Sequence, residues 1–353
     1  MRRLKHMNET ISLNPRQKAI INLLAREEEL SREKIADKLV NVYPVSKATL
    51  ARDLAELLAK NMILIIGSGP SCVYKTVSNH PLLKYIDLKQ YFAFEPDERK
   101  TALTSFNQDV FTDLKGLIFS NEKSELKAIF RSFSQVKRDG LERELERFVI
   151  ELAWKSSKIE GNTYTLLETE ALLQKSQETA GHPKSEAIMI LNHKEAFKTI
   201  VDHRDKFKKL TSSTVLELHN VLTKGLSIES GVREQPVGIT GTTYRPLDNQ
   251  WQIKESLEEL IKTVNSVDYP LEKALIVSSM VAYLQPFADG NKRTARMLAN
   301  AILLAYDYFP LSYRSVDENE YKEAMIIFYE TNNLYHVKRL FLDQYRFALK
   351  TYF

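Results

Sequence analysis

Cysteine is almost absent from this chain, which has only Cys72 in 353 residues. A single cysteine excludes an intramolecular disulfide, and its scarcity favours a reducing compartment. Long apolar runs are also absent, since none approaches the ~20 residues that a membrane-spanning helix needs. Polar residues Asn8, Glu9 and Thr10 stand where a signal peptide would place its apolar segment. We therefore expect a cytoplasmic protein with no membrane partner.

The length predicts two domains, because it exceeds the size at which one hydrophobic core usually stops growing. The net charge of +4 is distributed unevenly along the chain. Residues 1–79 carry 13 Lys or Arg and 8 Asp or Glu, a net charge of +5, whereas the remainder carries 37 and 38, a net charge of −1. Any surface that binds nucleic acid is therefore expected in residues 1–79.

Residues 1–79 show three short helical patterns followed by two β-type runs. Apolar residues recur at helical spacing in Arg16–Glu27, and Ser31 and Ser46 are good N-caps for two further helices. The β-type runs are Met62–Ile66 and Cys72–Val77. This order is typical of a winged helix-turn-helix domain.

The segment Ser46–Ile63 resembles the recognition helix of DeoR-type bacterial repressors. The resemblance implies that side chains at the start of this helix face the major groove of DNA. Those residues are Ser46, Lys47, Thr49 and Arg52. The alternative is a module for protein–protein contact or dimerisation, and in the second case the protein would be a homodimer.

Residues 80–104 are interpreted as a linker with helical character over Leu82–Phe92. Residues 105–353 have an almost wholly helical pattern, so the predicted fold class is mostly α with an N-terminal winged helix. One exception is Gln235–Arg245, which alternates and turns like a small β-hairpin. The predicted helices are Phe106–Phe119, Glu122–Phe133, Leu141–Ile159, Leu166–Lys175, Lys184–Phe207, Ser212–Lys224, Ile253–Val264, Leu271–Leu284, Asn291–Tyr306 and Glu318–Thr331.

The stretch Leu284–Asn300 has the pattern of a phosphate-binding loop. Pro286 ends one helix, and a tight turn at Asp289-Gly290-Asn291 opens the next. Backbone N–H groups and the positive end of the helix dipole at such a place bind phosphates.

Three cations follow the turn, at Lys292, Arg293 and Arg296, where they oppose the helix dipole. Their position indicates an anionic ligand, and the carboxylate of Asp289 is suited to Mg²⁺ beside phosphates. An ordinary helical hairpin with solvated basic residues is the alternative interpretation.

Taken as one run, this loop resembles the motif of the Fic (filamentation induced by cAMP) family, His-Pro-Phe-x-[Asp/Glu]-Gly-Asn-x-Arg-x-x-Arg. Every position matches except the first, where Gln285 replaces the catalytic histidine. The resemblance extends from about Leu141 to Leu340. It implies a protein adenylyltransferase that transfers AMP from ATP to a Ser, Thr or Tyr hydroxyl of a target protein.

The resemblance also implies a role for each motif position. Asp289 would hold Mg²⁺ on the α- and β-phosphates, and Gly290, Asn291 and the amide of Lys292 would form an anion hole. Arg293 would bind the transferred or leaving phosphates, and Arg296 would bind the γ-phosphate.

The predicted hairpin is similar to the family's flap, which holds a target peptide by strand addition. The flap residues are Val237, Ile239, Thr240 and Gly241. Thr240-Gly241 as a simple turn is the alternative.

A second match lies upstream, in the predicted helix region 141–161. Ser156, Glu160 and Gly161 fit the family's inhibitory motif, [Ser/Thr]-x-x-x-Glu-[Gly/Asn]. In relatives the glutamate pairs with the second motif arginine, here Arg296, and obstructs the γ-phosphate. A helix that ends at Glu160 with Gly161 as its cap is an alternative that is compatible with inhibition.

Two departures from the family limit the functional prediction. The amide of Gln285 accepts a hydrogen bond but does not take up a proton near neutral pH. If Gln285 is natural, the protein is a nucleotide-binding pseudoenzyme. The alternative is that Gln285 is an introduced substitution. Lys292 stands where many adenylylating members have glycine. Lysine at this position also occurs in the Doc branch of the family, which transfers the terminal phosphate.

A transcriptional regulator that uses its Fic domain as a nucleotide sensor is the competing hypothesis. The histidines are interpreted as helix-surface or core residues, since none has metal-ligand spacing with a carboxylate or cysteine. These are His182, His193, His203, His219 and His336.

Overall fold

The chain is described from a computed structural model, which covers residues 13–27, 29–40, 42–60, 62–67, 69, 72–77, 80–99, 103–133 and 141–352. It divides into two compact units, Met1–Asn79 and His80–Phe353. Within those described ranges, no helix has the length and apolarity that crossing a bilayer requires.

The first unit contains three helices and a three-stranded sheet. The strands are antiparallel in the order β1-β3-β2, with Leu30 opposite Tyr74 and Ile63 opposite Thr76. The two predicted capping serines do cap helices, since Ser31 Oγ accepts from Lys34 N and Ser46 Oγ from Thr49 N. The elements are α1 (Pro15–Glu27), β1 (Leu30–Ser31), α2 (Arg32–Leu39), α3 (Lys47–Ala59), β2 (Ile63–Ile66) and β3 (Val73–Thr76).

The apolar faces of these helices form a core that belongs to the first unit alone. On α3 the leucines Leu50, Leu54 and Leu57 are buried, and Leu58 is half-buried. Helices this short are marginal in isolation, so their stability comes from this shared apolar core. Strand β1 is an addition that the sequence pattern did not indicate.

The second unit is helical, and its centre is one helix buried along its whole apolar length. Every side chain of α11 from Leu271 to Leu284 is buried, as expected for a helix that is hydrophobic all round. The helices are α4 (Leu88–Tyr91), α5 (Ser120–Phe133), α6 (Leu141–Ile159), α7 (Leu166–Lys175), α8 (Lys184–Asp202), α9 (Ser212–Thr223), α10 (Gln250–Asn265), α11 (Pro270–Leu284), α12 (Asn291–Ala305), α13 (Glu318–Thr331) and α14 (Tyr335–Thr351).

Helix α12 packs against α11 and also contacts α6, α8 and α9. The C-terminal end of α6 thereby comes to lie beside the first turns of α12. This packing brings two sequence segments about 140 residues apart into one site.

The helix predicted for Leu82–Phe92 is wrong over its first half, because only Leu88–Tyr91 is α-helical. Carbonyl groups that a helix would use internally are bound by other parts of the unit. Leu82 O accepts from Leu334 N at 2.6 Å, and Ile86 O contacts His336 Nε2 at 2.7 Å.

The α-helix predicted for Phe106–Phe119 is also wrong, since that region has only a 3-10 helix, Gln108–Asp113. Side chains of the core bind its backbone amides instead. Tyr283 Oη accepts from Asn107 N at 2.8 Å, and Glu272 Oε1 accepts from Gly116 N at 2.5 Å. Hydrogen bonds to distant side chains thus take the place of the backbone hydrogen bonds of an α-helix in this region.

Two further differences concern the end of one helix and the existence of another. The helix predicted for Lys184–Phe207 ends as an α-helix at Asp202 and is followed by a 3-10 turn, Arg204–Phe207. Helix α14 was not predicted, although Val337, Phe341 and Tyr345 on its buried face recur at helical spacing.

The β-hairpin predicted for Gln235–Arg245 does not form, because the segment contains no strand and has only a turn at Thr240-Gly241 and one isolated bridge at Arg245. Backbone groups that would join the two strands have other partners. Gly241 O accepts from Arg99 Nη1 at 3.2 Å, and Arg245 N donates to Thr104 O at 3.1 Å. A lone two-stranded hairpin is marginally stable, so these contacts prevail.

Candidate active site

In the loop between α11 and α12, the side chain of Asn291 binds back to the loop backbone at Phe287. Asn291 Oδ1 accepts from Phe287 N at 2.9 Å, and Asn291 Nδ2 donates to Phe287 O at 2.8 Å. Phe287 is buried beneath the loop. The chain therefore turns at the predicted Asp289-Gly290-Asn291. Asn291, the first residue of α12, also fixes the start of the loop at Phe287 through its side chain.

Gly290 precedes α12 in the left-handed region, with φ +81°. A Cβ at this position would lie 3.1 Å from Thr223 Cγ2. Both the backbone conformation and the close approach therefore require glycine.

A histidine supports the same turn from α9. His219 Nε2 donates to Asp289 O at 2.9 Å, and its ring stacks on Phe287 with centroids 3.7 Å apart. Burial lowers the pKa of His219 below its ordinary value, which favours the neutral ring. The sequence pattern predicted an ordinary helix-surface or core residue at His219 and gave no signal of this contact.

Arg293 lies under the turn with 2% of its side chain exposed. Its Nη2 is 3.1 Å from Asp289 Oδ2, whereas its buried Nη1 has no hydrogen-bond partner among the described residues. Burial lowers the pKa of Arg293, and the Asp289 carboxylate partly opposes that effect. A buried guanidinium N–H without an acceptor suits an anionic ligand.

Asp289 is placed differently, because 70% of its side chain is exposed. No cluster of three or more His, Cys, Asp or Glu residues suited to a metal occurs among the residues that the structure describes. One exposed carboxylate beside the predicted phosphate-binding loop fits Mg²⁺, which commonly takes one or two carboxylates with water and phosphate oxygens.

Arg296 is buried on the next turn of α12 and is held by the end of α6. Its Nη2 donates to Glu160 Oε1 at 2.8 Å and to Ser156 O at 2.8 Å, and its Nε donates to Ser156 Oγ at 3.0 Å. Burial alone would raise the pKa of Glu160, but Arg296 and Lys292 together hold it below its ordinary value. Glu160 is therefore a carboxylate at neutral pH.

The end of α6 explains how Glu160 reaches this position. Glu160 N and Gly161 N donate to the carbonyl groups of Ser157 and Lys158, and Gly161 has φ +95°. A left-handed glycine ends the helix, so the capping interpretation and the pairing with Arg296 hold together.

Gln285 ends α11 in the left-handed region, with φ 50°. Its Nε2 donates to Ala282 O at 2.6 Å, so its amide oxygen is the atom that remains to accept a hydrogen bond. Gln285 O accepts from Arg233 Nε at 2.7 Å. Arg233 also binds Gln235 O and Leu247 O, which ties the loop to both ends of the predicted flap region.

Some of these residues line one cavity of about 500 Å³, whereas the buried Arg293 and Arg296 are not part of its lining. It combines the phosphate-loop residues, the end of α6 and the predicted flap. Its polar and flap lining includes Glu160, Gly161, Val237, Ile239, Thr240, Gln285, Asp289, Gly290, Asn291, Lys292 and Tyr329. Gly241 lies next to this lining, with its carbonyl bound by Arg99.

The candidate DNA-contacting residues lie in the other unit. Ser46, Lys47 and Arg52 are exposed at the start of α3, and Thr49 is half-buried. The Ser46 and Thr49 hydroxyl groups lie 2.9 Å apart and engage each other as well as the helix cap. Lys47 and Arg52 are therefore the cations of this set that face solvent.

Comparison with known proteins shows which family part of this chain is similar to. Residues 209–303, which run from before α9 to the end of α12, match the Fic/DOC family. This part of the chain is therefore similar to the Fic/DOC family. The match contains the loop at Gln285–Arg296 but begins after α6 and ends before α13.

Two curated relatives of the Fic domain are proteins named Protein adenylyltransferase Fic. The one from Nematostella vectensis is 29% identical over 189 residues, 52% of this chain and 44% of its own length. The one from Drosophila virilis is 29% identical over 203 residues, 56% of this chain and 41% of its own length. The chain thus spans less than half the length of these relatives.

Solved structures give the same fold. A Fic domain containing signaling protein from Bacteroides thetaiotaomicron has a TM-score of 0.55 at 19% identity, covering 65% of this chain and 96% of its own. Fic-1 from C. elegans has a TM-score of 0.56 at 19% identity, covering 68% of this chain and 73% of its own. The second unit therefore has the Fic fold.

Proposed function

We propose that this protein binds ATP in its Fic domain, that Glu160 restrains productive binding, and that its capacity to transfer AMP to a protein hydroxyl is weakened by Gln285. The observation that carries the proposal is the Glu160–Arg296 contact at 2.8 Å beside a cavity lined by the phosphate-loop residues. Curated relatives named adenylyltransferases support AMP transfer as the family activity.

The phosphates of ATP would occupy the loop side of the cavity. Gly290, Asn291 and Lys292 present backbone amides at the start of α12, and Arg293 Nη1 is available to a phosphate oxygen. Asp289 would hold Mg²⁺, which when bound neutralises charge on the phosphates.

Arg296 has the donors for a terminal phosphate, but Glu160 occupies one of them. A carboxylate and a phosphate compete for the same guanidinium N–H groups, so a seated γ-phosphate must displace Glu160. The protein would then bind ATP weakly until the end of α6 moves or Glu160 is replaced.

Transfer itself would join the oxygen of the target hydroxyl to the α-phosphorus and break the bond from that phosphorus to the departing pyrophosphate. The hydroxyl proton passes to water, because the amide of Gln285 does not take it up near neutral pH. Loss of a general base typically costs about 10²–10⁴-fold in rate. Positioning and charge stabilisation supply much of phosphoryl-transfer catalysis, so the residual rate need not be zero.

The segment 235–245 would hold the target peptide as a flap. Among the described residues, Val237 and Gly238 have no backbone hydrogen-bond partner, although they line the cavity. Free backbone groups in extended chain can pair with an incoming strand even though no hairpin exists here. Strand addition beside Gln285 would bring a target hydroxyl towards the α-phosphate.

The experiment restores the base and removes the restraint together. Full-length Gln285→His/Glu160→Gly is incubated with labelled ATP and Mg²⁺, and the label is sought on protein as an AMP adduct by mass spectrometry. The same protein with Arg293→Met added should lose the label, because phosphate binding is lost. Absence of nucleotide binding by the double variant would reject the proposal.

A second candidate function is transcriptional regulation, in which the Fic domain senses nucleotide and the first unit binds DNA. It is favoured by the exposed cations Lys47 and Arg52 on α3 within a segment of net charge +5. A gel-shift with the full chain and its own upstream DNA tests it over a series of salt concentrations. Lys47→Glu/Arg52→Glu should abolish the complex, and Lys209→Glu, exposed in the other unit, should not.

A further inference from the structure

The hydroxyl group of Ser156 lies between Arg296 and a histidine that the Fic motifs do not contain. Ser156 Oγ is 3.0 Å from Arg296 Nε and 2.9 Å from His193 Nε2. All three residues are 1% exposed. They form a buried row that runs from α8 through the end of α6 to α12.

The protons in this row can be assigned from what each group is able to donate. Met189 O only accepts, and it lies 2.8 Å from His193 Nδ1, so Nδ1 carries the ring proton. Nε2 of a neutral ring is then an acceptor. Arg296 Nε only donates, so the Ser156 hydroxyl accepts from Arg296 and donates its own proton to His193 Nε2.

A neutral His193 is the condition for this arrangement. Burial lowers the pKa of His193 to about 3, and the nearby charges of Arg293 and Arg296 act in the same direction. A protonated ring would present a second donor to the Ser156 hydroxyl and would repel Arg296. The ring is therefore a fixed acceptor throughout the pH range in which the protein would work.

We infer that His193 is a positioning residue for Arg296. By accepting a hydrogen bond from the Ser156 hydroxyl, His193 fixes the direction of the oxygen lone pair that orients the Arg296 guanidinium. The inference rests on the proposed function, in which Arg296 binds the terminal phosphate of ATP. It gives the serine of the upstream motif a role beside that of Glu160. The same row would orient Arg296 whether its partner is Glu160 or a phosphate.

Simple filling of the core does not explain the row. An apolar side chain of similar volume would fill the space between α6 and α8, but it would leave the Ser156 hydroxyl without an acceptor. A buried polar group without a partner is costly, and the hydroxyl would rotate to find one. Arg296 Nε would then lose a defined acceptor, although packing would be retained.

The test measures nucleotide binding in the full chain with the restraint removed. Glu160→Gly serves as the parent, and His193→Leu, Ser156→Ala and both together are added to it. Calorimetry with ATP and with AMP, both with Mg²⁺, gives two dissociation constants for each protein. His193→Leu should weaken ATP binding about five- to tenfold, the effect of one neutral hydrogen bond, and leave AMP binding unchanged.

Two comparisons separate positioning from packing. The double variant should be no weaker for ATP than Ser156→Ala alone, because both changes break the same row. His193→Gln, whose amide oxygen can accept from the serine hydroxyl, should recover most of the ATP affinity. Equal losses for ATP and AMP, additive losses in the double variant, or no loss in His193→Leu would each overturn the inference.

Failure of the proposed function would look different. If the Glu160→Gly parent bound neither nucleotide, the proposed function would be rejected, and the row would be judged by urea unfolding of the same four proteins. Positioning predicts that the effects of His193→Leu and Ser156→Ala on unfolding are non-additive. Additive effects would overturn the inference without any use of nucleotide.

Discussion

Lys292 Nζ lies 3.9 Å from Glu160 Oε2, on the carboxylate oxygen opposite the one that Arg296 binds. One carboxylate is thus shared by two cations that stand one turn apart on α12. The two contacts differ in environment, because the Arg296 side chain is 1% exposed and the Lys292 side chain is 26% exposed. Screening by solvent makes the lysine contact the weaker of the two.

Replacing each cation by methionine should separate these contributions. Lys292→Met should change the free energy of unfolding by less than about 1 kcal/mol, as is usual for a partly exposed pair. Arg296→Met should lower it by about 3 kcal/mol, because Glu160 and Ser156 lose a buried partner. Urea unfolding measures both, and similar losses for the two variants would contradict the assignment of Arg296 as the main partner.

The stability that the Glu160–Arg296 pair contributes should depend on pH in a defined direction. The folded-state pKa of Glu160 is lowered from 4.5, so the pairing contributes stability above that value and loses it as pH falls through the folded-state pKa. Melting temperatures of the unmodified chain and of Glu160→Gln should therefore differ most above about pH 5 and should converge as the pH falls below 4.5 through the lowered folded-state pKa. Glu258→Gln, an exposed site on α10, is the control and should show no such convergence.

The loop was predictable because its determinants are local. Pro286, Gly290 and Asn291 determine the turn and lie within a few residues of each other, so the sequence pattern is sufficient to predict the conformation of this loop. The contact between Glu160 and Arg296 spans 136 positions, and only the family resemblance suggested it.

What the sequence could not supply are partners chosen by helix packing. His193, His219 and Arg233 reach the site from elements that carry no motif of their own. The wrong helix at Phe106–Phe119 and the missing hairpin have the same physical origin, since backbone groups there bind distant residues such as Tyr283 and Thr104. Local propensity does not contain those partners.

Gly290→Ala should be more harmful than an ordinary glycine replacement at positive φ. The left-handed conformation alone costs roughly 1–2 kcal/mol, and the added Cβ would also lie 3.1 Å from Thr223 Cγ2. Gly181→Ala has φ +95° with no atom within 4 Å, so it carries the strain without the contact. Urea unfolding should rank Gly290→Ala below Gly181→Ala, and Thr223→Ser, which removes the methyl group, should recover part of the difference.

Arg99→Met should loosen the predicted flap as well as destabilise the unit. Arg99 Nη1 donates to Glu330 Oε1 at 3.0 Å and to Gly241 O at 3.2 Å, so one guanidinium joins a buried carboxylate to the flap segment. Removing it leaves the Glu330 carboxylate without its cation, and we expect a loss of about 3 kcal/mol in the free energy of unfolding. Hydrogen exchange should also become faster in peptides covering residues 237–244.

Tyr91→Phe is the matched control for this last effect, because Tyr91 Oη donates to the same carboxylate at 2.6 Å but does not contact Gly241. It should lower the free energy of unfolding by about 1.5–3 kcal/mol, as expected for one hydrogen bond to a charged group. Exchange in residues 237–244 should then stay at the natural rate. If both variants accelerate exchange there equally, the flap responds to the stability of the Glu330 cluster as a whole, and Arg99 has no direct part in holding it. If only Arg99→Met does so, a residue that precedes the matched Fic region controls the segment expected to receive the target peptide.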